Sequence, residues 1–349
     1  MALQRIRTGS TGHLTSEERK SFASLVTQYN SDFRVKAGSV ADVTLEDLDP
    51  GAIVMNTADS KMYFCDDTGW KKAGSPIQLT VTFTSTQFAF KFKAPSTSTL
   101  IMNDGDGTMT AVAGQDDVEV THTTAYSTPG TYSFYVEGDY VDLTWIRISN
   151  QSFVSGDVSR FSELVNLTVL YLDATGITGS LNTWGSMTSM DSFYAYNTEL
   201  GGDISAIKTW TSAYSINVYR SNVYGDVSEL SSWAGTTLRV LNLNTTNVSG
   251  DVSKLYVCTN VLLVLNFFST NVTFDGVDYF VNTGTTPFFF QDCGWTSEMV
   301  DNALIAFAGG EFIGKTINIG GTNASRTSAS DAAFAYLDAN NTLTVNSPA

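Results

Sequence analysis

A mainly β chain, most of it a repeat-built solenoid, is what the sequence predicts, and three observations predict it. The strings GDVS, GSLN, GDIS, GDVS and GDVS begin at Gly156, Gly179, Gly202, Gly225 and Gly250, spaced 23, 23, 23 and 25 residues apart. Apolar pairs two residues apart keep the same phase, at Leu170/Leu172, Phe193/Ala195, Ile216/Val218, Leu241/Leu243 and Leu265/Phe267. The 349 residues include 37 Ser, 45 Thr and 28 Gly but only 15% charged residues, a make-up that favours strands and turns.

A period of 23 lies within the 20–29 residues of leucine-rich repeats, where each turn gives one short strand to a stacked sheet. A second apolar residue precedes each Gly by two: Ile177, Leu200, Val223 and Val248. Thr175, Thr198, Ser221, Thr246 and Thr270 hold a hydroxyl at one fixed place, where it can satisfy backbone groups. The solenoid is therefore assigned to residues 150–285. Leu143, Ile146, Ile148 and Val154 nearly repeat the pattern, so the preceding strand can open the stack. Residues 286–349 read as a helix-bearing C-terminal α/β cap. Strands are expected at Phe288/Phe290, Ile317/Ile319 and Leu343/Val345, and helices over Ser297–Ala308 and Ala329–Ala339.

Residues 1–75 form a different unit. Thr15 and Glu18 make a capping box, and Phe22, Leu25, Val26 and Tyr29 paint one stripe on a helix over Leu14–Asn30. Ile53/Met55 and Met62/Phe64 then alternate about a turn at Ala58–Ser60, and Trp70 closes a hairpin. A lone helix and hairpin bury too little to stand alone, so this region is expected to oligomerise or dock. Phe22, Leu25, Val26, Tyr29 and Trp70 are its candidate contacts.

Residues 76–149 read as seven strands: Gln78–Thr84, Gln87–Lys93, Thr99–Met102, Thr108–Ala113, Val118–Thr121, Thr131–Val136 and Val141–Ile148. Spacing and alternation suggest an immunoglobulin-like sandwich. NDGDGT from Asn103 and THTTAYSTPGTYSFYV from Thr121 together resemble the polycystic-kidney-disease (PKD) type of sandwich, although Met102 stands where an aromatic usually precedes the GDG turn. Asp104 and Asp106 lack the terminal Glu of an EF-hand loop and are read as turn residues.

Net charge is −16, yet residues 1–36 carry +3, leaving −19 on the remainder. Such a body repels nucleic acid. Its basic start suits docking. Two His and three widely spaced Cys (Cys65, Cys258, Cys293) give neither a zinc site nor a nucleophile–His pair. No cofactor or metal is expected, no catalytic motif is found, and the chain is read as a non-enzyme. The first twenty residues have no apolar core, so no signal peptide is expected, and no stretch is long enough to span a bilayer.

The informative surface is the outward side of the solenoid strands. Strand alternation places there Tyr171 and Asp173, Tyr194 and Tyr196, Asn217 and Tyr219 with Arg220, Asn242 and Asn244, and Asn266 and Phe268. Tyr offers a flat ring with a polar tip, and Asn both donates and accepts. The strip suits sugars, suits a protein interface, and also suits a ladder that merely stabilises the stack.

The hairpin segment, with Gly51, Asn56, Lys61, Tyr63, Gly69 and Trp70, is similar to segments of trimeric bacteriophage fibres. The sandwich, the GDIS-type repeats and the SEMVDNAL…NASRTSASDAA end resemble leucine-rich proteins of phages that infect Bacteroidetes-type bacteria. The resemblance implies a virion fibre or receptor-binding protein, assembled in the host bacterial cytoplasm. It would be mounted on capsid or tail through residues 1–75, commonly as a trimer, and would adhere to a host-surface glycan or protein. A capsid decoration protein without receptor binding and a bacterial leucine-rich surface adhesin are the alternatives.

Overall fold

The computed structural model describes residues 53–56, 61–66, 69–72 and 257–258 by their backbone, and residues 77–84, 87–233, 238–256, 263–276 and 287–347 in full. The chain divides into two units, Met1–Ser75 and Pro76–Ala349.

In the first unit, β1 (Ile53–Asn56), β2 (Lys61–Asp66) and β3 (Gly69–Lys72) form an antiparallel meander. Ile53 pairs with Phe64 and Met55 with Met62, so the two alternating pairs meet across one hairpin. The segment Leu14–Asn30 and the side chains of Phe22, Leu25, Val26, Tyr29 and Trp70 lie outside the described residues.

The second unit opens with β4 (Gln78–Phe83), β5 (Phe88–Lys93), β6 (Thr99–Asn103), β7 (Met109–Ala113), β8 (Val120–Thr124) and β9 (Gly130–Gly138). β4, β9, β6 and β7 share one sheet; β5 and β8 belong to another. Phe88 on β5 meets Phe134 on β9 edge-on at 4.8 Å, which places one aromatic core between the two sheets. Two strand assignments shift. Asp116 and Asp117 take positive φ, so the strand expected from Val118 begins at Val120. Tyr140–Asp142 form a 3-10 turn, so the strand expected from Val141 is only β10 (Trp145–Arg147).

β10 joins the module to the solenoid. It pairs antiparallel with β5 and parallel with the next repeat strand. The following strands are β11 (Val154–Asp157), β12 (Val169–Tyr171), β13 (Gly176–Thr178), β14 (Ser192–Tyr194), β15 (Gly201–Asp203) and β16 (Ser215–Asn217). Then come β17 (Asn222–Asp226), β18 (Val240–Asn242), β19 (Asn247–Asp251), β20 (Val264–Asn266) and β21 (Asn271–Thr273). β11 in turn pairs antiparallel with β4, so both sheets of the opening module run on into the repeats. No boundary falls at residue 149. The solenoid borrows its first edge from the module before it.

The main parallel sheet does not stop at residue 285 either. β22 (Pro287–Phe289), β23 (Thr316–Asn318) and β24 (Thr342–Thr344) extend it in register. Helices α1 (Ser297–Gly309) and α2 (Asp331–Asn340) replace the 3-10 segments that close the earlier turns. Buried Asp301 on α1 accepts from Thr327 and Ser330, tying the two helical turns together.

The repeat motif has a physical explanation at each place. Ile146, Leu170, Phe193, Ile216, Leu241, Leu265, Phe288 and Ile317 stack inward, all fully or almost fully buried. Each such side chain contributes ~1.5–3 kcal/mol of apolar burial. The hydroxyls of Thr175, Thr198, Ser221, Thr246 and Thr270 donate at 2.5–2.7 Å to the carbonyl three residues earlier, within their own turn. Asp157, Asp203, Asp226 and Asp251 accept from the backbone N–H two residues on, starting the 3-10 segments. A glycine must follow in the next turn: at Gly250 (φ +97°) an added Cβ would press on the Asp226 carboxylate.

Candidate functional site: the outward face of the main sheet

The face is built in two columns. Arg147, Tyr171, Tyr194, Asn217, Asn242, Asn266 and Phe289 pair successively across adjacent strands, so their side chains form one row along the solenoid axis. Two residues further on, Asp173, Tyr196, Tyr219, Asn244, Phe268 and Gln291 form the second row. Their carbonyls accept from the corner N–H groups of the preceding turns. At those corners Asn150, Ala174, Asn197, Arg220, Thr245, Ser269 and Asp292 take φ of +53° to +60°. Arg220 therefore sits exposed on the rim of the face rather than on a strand.

The tyrosines are half-buried because they cover one another. Tyr171 and Tyr194 stack at 4.7 Å and 10°, Tyr196 and Tyr219 at 4.6 Å and 5°. That separation is the strand spacing of a sheet, about 4.8 Å, so the rings stand upright like adjacent pages. Trp145 leans on Tyr171 at 5.7 Å, and the Arg147 guanidinium lies 5.5 Å from the centre of the same ring. Most ring faces are thus spent inside the ladder. Edges, hydroxyls and the outermost faces remain for a ligand.

Asp173 departs from expectation: it is buried, not presented. Tyr196 from the next turn interacts with its carboxylate. Burial pushes the Asp173 carboxyl above its ordinary range, against the opposing pull of Tyr196 and of Arg147. Burial and the Asp173 carboxylate push the Tyr196 phenol up to about 12.

The asparagines do local work as well. Asn242 Oδ1 accepts from Asn244 Nδ2 at 2.8 Å, Asn266 Oδ1 from the Phe268 N–H, and Asn318 Oδ1 from the Gly320 N–H. Asn217 differs: its Oδ1 is covered and has no partner, and the buried Ser215 Oγ on the same strand has none either.

Trp145, Arg147 and Phe289 belong to the face but were not among the sequence candidates. The signal was present, since Ile146/Ile148 and Phe288/Phe290 keep the repeat phase, but their strands had been assigned to neighbouring domains. Cys293 is free and half-buried, with its thiol pushed up by burial; the side chains of Cys65 and Cys258 lie outside the described residues. Among the described residues no group of His, Cys, Asp and Glu is placed to hold a metal, and no helix is long and apolar enough to cross a membrane.

No protein-family model and no curated protein matches the sequence. Solved structures do resemble the chain. One is the leucine-rich-repeat ectodomain of the plant membrane receptor kinase GASSHO1/SCHENGEN3 from Arabidopsis thaliana (15% identity, TM-score 0.39), which covers 51% of this chain and 24% of that one. An internalin from Listeria monocytogenes (20%, 0.36) covers 58% of this chain and 67% of that one. A plant ice-binding protein (15%, 0.35) covers 60% and 76%. The chain spans about a quarter of the length of the plant receptor ectodomains it resembles. These likenesses are distant, and the fold assignment rests on the phased turns and the sheet registers themselves. The described residues from Trp145 to Pro287 form a β-rich solenoid of leucine-rich-repeat-like turns.

Proposed function

We propose that the chain is an adhesin carried on a bacteriophage virion, mounted through residues 1–75 as a homo-oligomer, with a trimer favoured. Its solenoid face would hold a host-surface glycan. The proposed activity is binding, without catalysis. One observation carries the recognition part of this reading: two in-register rows of Tyr and Asn run over many parallel strands whose backbone groups are already paired. A ladder of this kind offers rigid side chains that lose little entropy on binding. Several copies on one particle would turn weak sites into firm adsorption.

The virion part rests on the phage-fibre resemblance of the segment around β1–β3, on the PKD-like motif, and on the basic first 36 residues of an acidic chain. In the PKD-like motif, His122 and Thr124 both bind buried Asp104, while Tyr126 donates to the Asp104 carbonyl.

Immunogold labelling of purified particles and of bacterial cells tests the mount. Label on virions supports the reading. Label on cell envelopes alone would replace it with a bacterial leucine-rich adhesin. Adsorption is tested separately by competition: excess purified chain should block virion attachment to host cells. Labelled virions that adsorb undiminished under that excess would make the chain a decoration protein.

A further inference from the structure

Resting on the recognition reading above, we infer that the glycan held by this face is anionic. Its carboxylate or phosphate group seats over Lys91, Lys93 and Arg147, at the end of the tyrosine ladder.

The main sheet carries the face beyond the solenoid onto β5. Phe88, Phe90 and Phe92 are buried inward, so Lys91 and Lys93 stand on the outward side with the repeat face. The strand register sets Lys91 opposite Arg147 and Lys93 opposite Trp145. Arg147 is in turn opposite Tyr171, which stacks on Tyr194. One row therefore reads Lys91, Arg147, Tyr171, Tyr194: two cations, then two rings. Neighbours in it stand about one strand spacing, ~4.8 Å, apart.

This cluster runs against the charge of its surroundings. Residues 76–349 hold ten basic and twenty-five acidic side chains, yet three of the ten occupy adjacent positions here. Like charges directly opposite on neighbouring strands are destabilising, so the Lys91–Arg147 pair does not serve the sheet. Glu119 answers Lys91 at 2.8 Å. Among the described residues no carboxylate lies within ion-pair distance of Lys93 or Arg147. The exposed Arg147 side chain donates through Nε to Ser149 Oγ at 2.9 Å, which leaves its two terminal nitrogens for a ligand. An oxyanion placed there meets an ammonium and a planar guanidinium fork together, a pairing that suits carboxylate and phosphate alike.

The surroundings also set how dense the ligand charge is. Beyond Arg147 the two rows of the face are uncharged apart from buried Asp173, and the acidic body repels a densely charged polymer. The fit is to a chain with isolated anionic groups, whose neutral remainder lies along the Tyr and Asn rows.

The experiment measures adsorption of labelled full chain to host cells. Two competitors come from the same envelopes by anion exchange: the retained, charged polysaccharide and the unretained, neutral one. The charged fraction should block adsorption and the neutral one should not, and adsorption should fall as salt is raised. Lys93→Glu and Arg147→Glu should each lower adsorption at least about tenfold. Lys208→Glu makes the same change in net charge on a 3-10 turn away from the face, and should adsorb like wild type. If the neutral fraction blocks while Lys93→Glu and Arg147→Glu adsorb like wild type, the anion subsite is overturned and the recognition reading stands. Adsorption that protease treatment of the cells abolishes, and that neither fraction blocks, replaces the glycan with a protein and overturns the inference. No adsorption by wild type removes the recognition reading, and this inference with it.

Discussion

The carboxylate of Asp173 is buried, and Tyr196, one repeat turn further on, interacts with it. Burial, the dominant effect, raises the Asp173 pKa above 3.8. The sign of the pH dependence follows. A folded-state pKa above the unfolded value means the folded chain binds the proton more tightly. The stability this group contributes is full below 3.8 and is lost as pH rises through the folded value. Asp173→Asn keeps an acceptor for Tyr196 and removes the titration. Its melting temperature should exceed wild type at pH 7. The gap should close near pH 3, as thermal melts at both pH values will show.

The indoles bind successive turns together. Trp184, Trp210 and Trp233 donate through Nε1 to the carbonyls of Ser159, Trp184 and Lys208, at 3.0–3.2 Å. Trp210→Phe keeps most of the volume but removes this bond between turns, leaving the Trp184 carbonyl its Met187 N–H alone. A loss of about 0.5–1.5 kcal/mol in urea unfolding is expected, and Trp210→Ala should cost more, about 3–5 kcal/mol.

Gly250 and Asp226 are coupled across one turn. Gly250→Ala should destabilise by roughly 2 kcal/mol or more, from the left-handed backbone and from its new methyl against Asp226. In an Asp226→Ala background the same change should cost less, because only the backbone strain remains. A double-mutant cycle measures the difference, and strict additivity would deny the contact.

In the opening module, Asp104 receives His122 Nε2 at 2.8 Å and the Thr124 hydroxyl, all three buried. Asp104→Ala would leave buried His122 and Thr124 only their 3.2 Å contact with each other and should lower unfolding stability by about 1–3 kcal/mol. Because β4 and β5 continue into the solenoid sheets, the loss should appear as an earlier single transition. Two separated transitions would show that the junction does not transmit stability.

Much of this fold was legible in the sequence, and the reasons are local. The Leu170/Leu172 type of pair sets a strand, and the GDV string sets both a 3-10 start and the glycine corner. The hydroxyl places were also visible, since Thr175 and its equivalents act within their own turns. Where a property depends on the neighbouring turn, the strand pattern alone misleads. Asp173 alternates outward like Tyr171 but is buried, so its exposure cannot be read from its own strand. The stacking was readable in principle: Tyr171 and Tyr194, like Tyr196 and Tyr219, lie 23 residues apart, which is the repeat itself. The unmatched Asn217 acceptor was not, because its equivalents carry the same residue type and differ only in partners.

The central claim is that the outward face of the main sheet is the recognition surface. Adsorption of fluorescently labelled full chain to host cells tests it most directly, comparing wild type, Tyr194→Ala/Tyr219→Ala and Tyr224→Ala, each shown folded by circular dichroism. The account predicts a loss of at least about tenfold for the double variant and none for Tyr224→Ala. Equal adsorption by all three chains would contradict it.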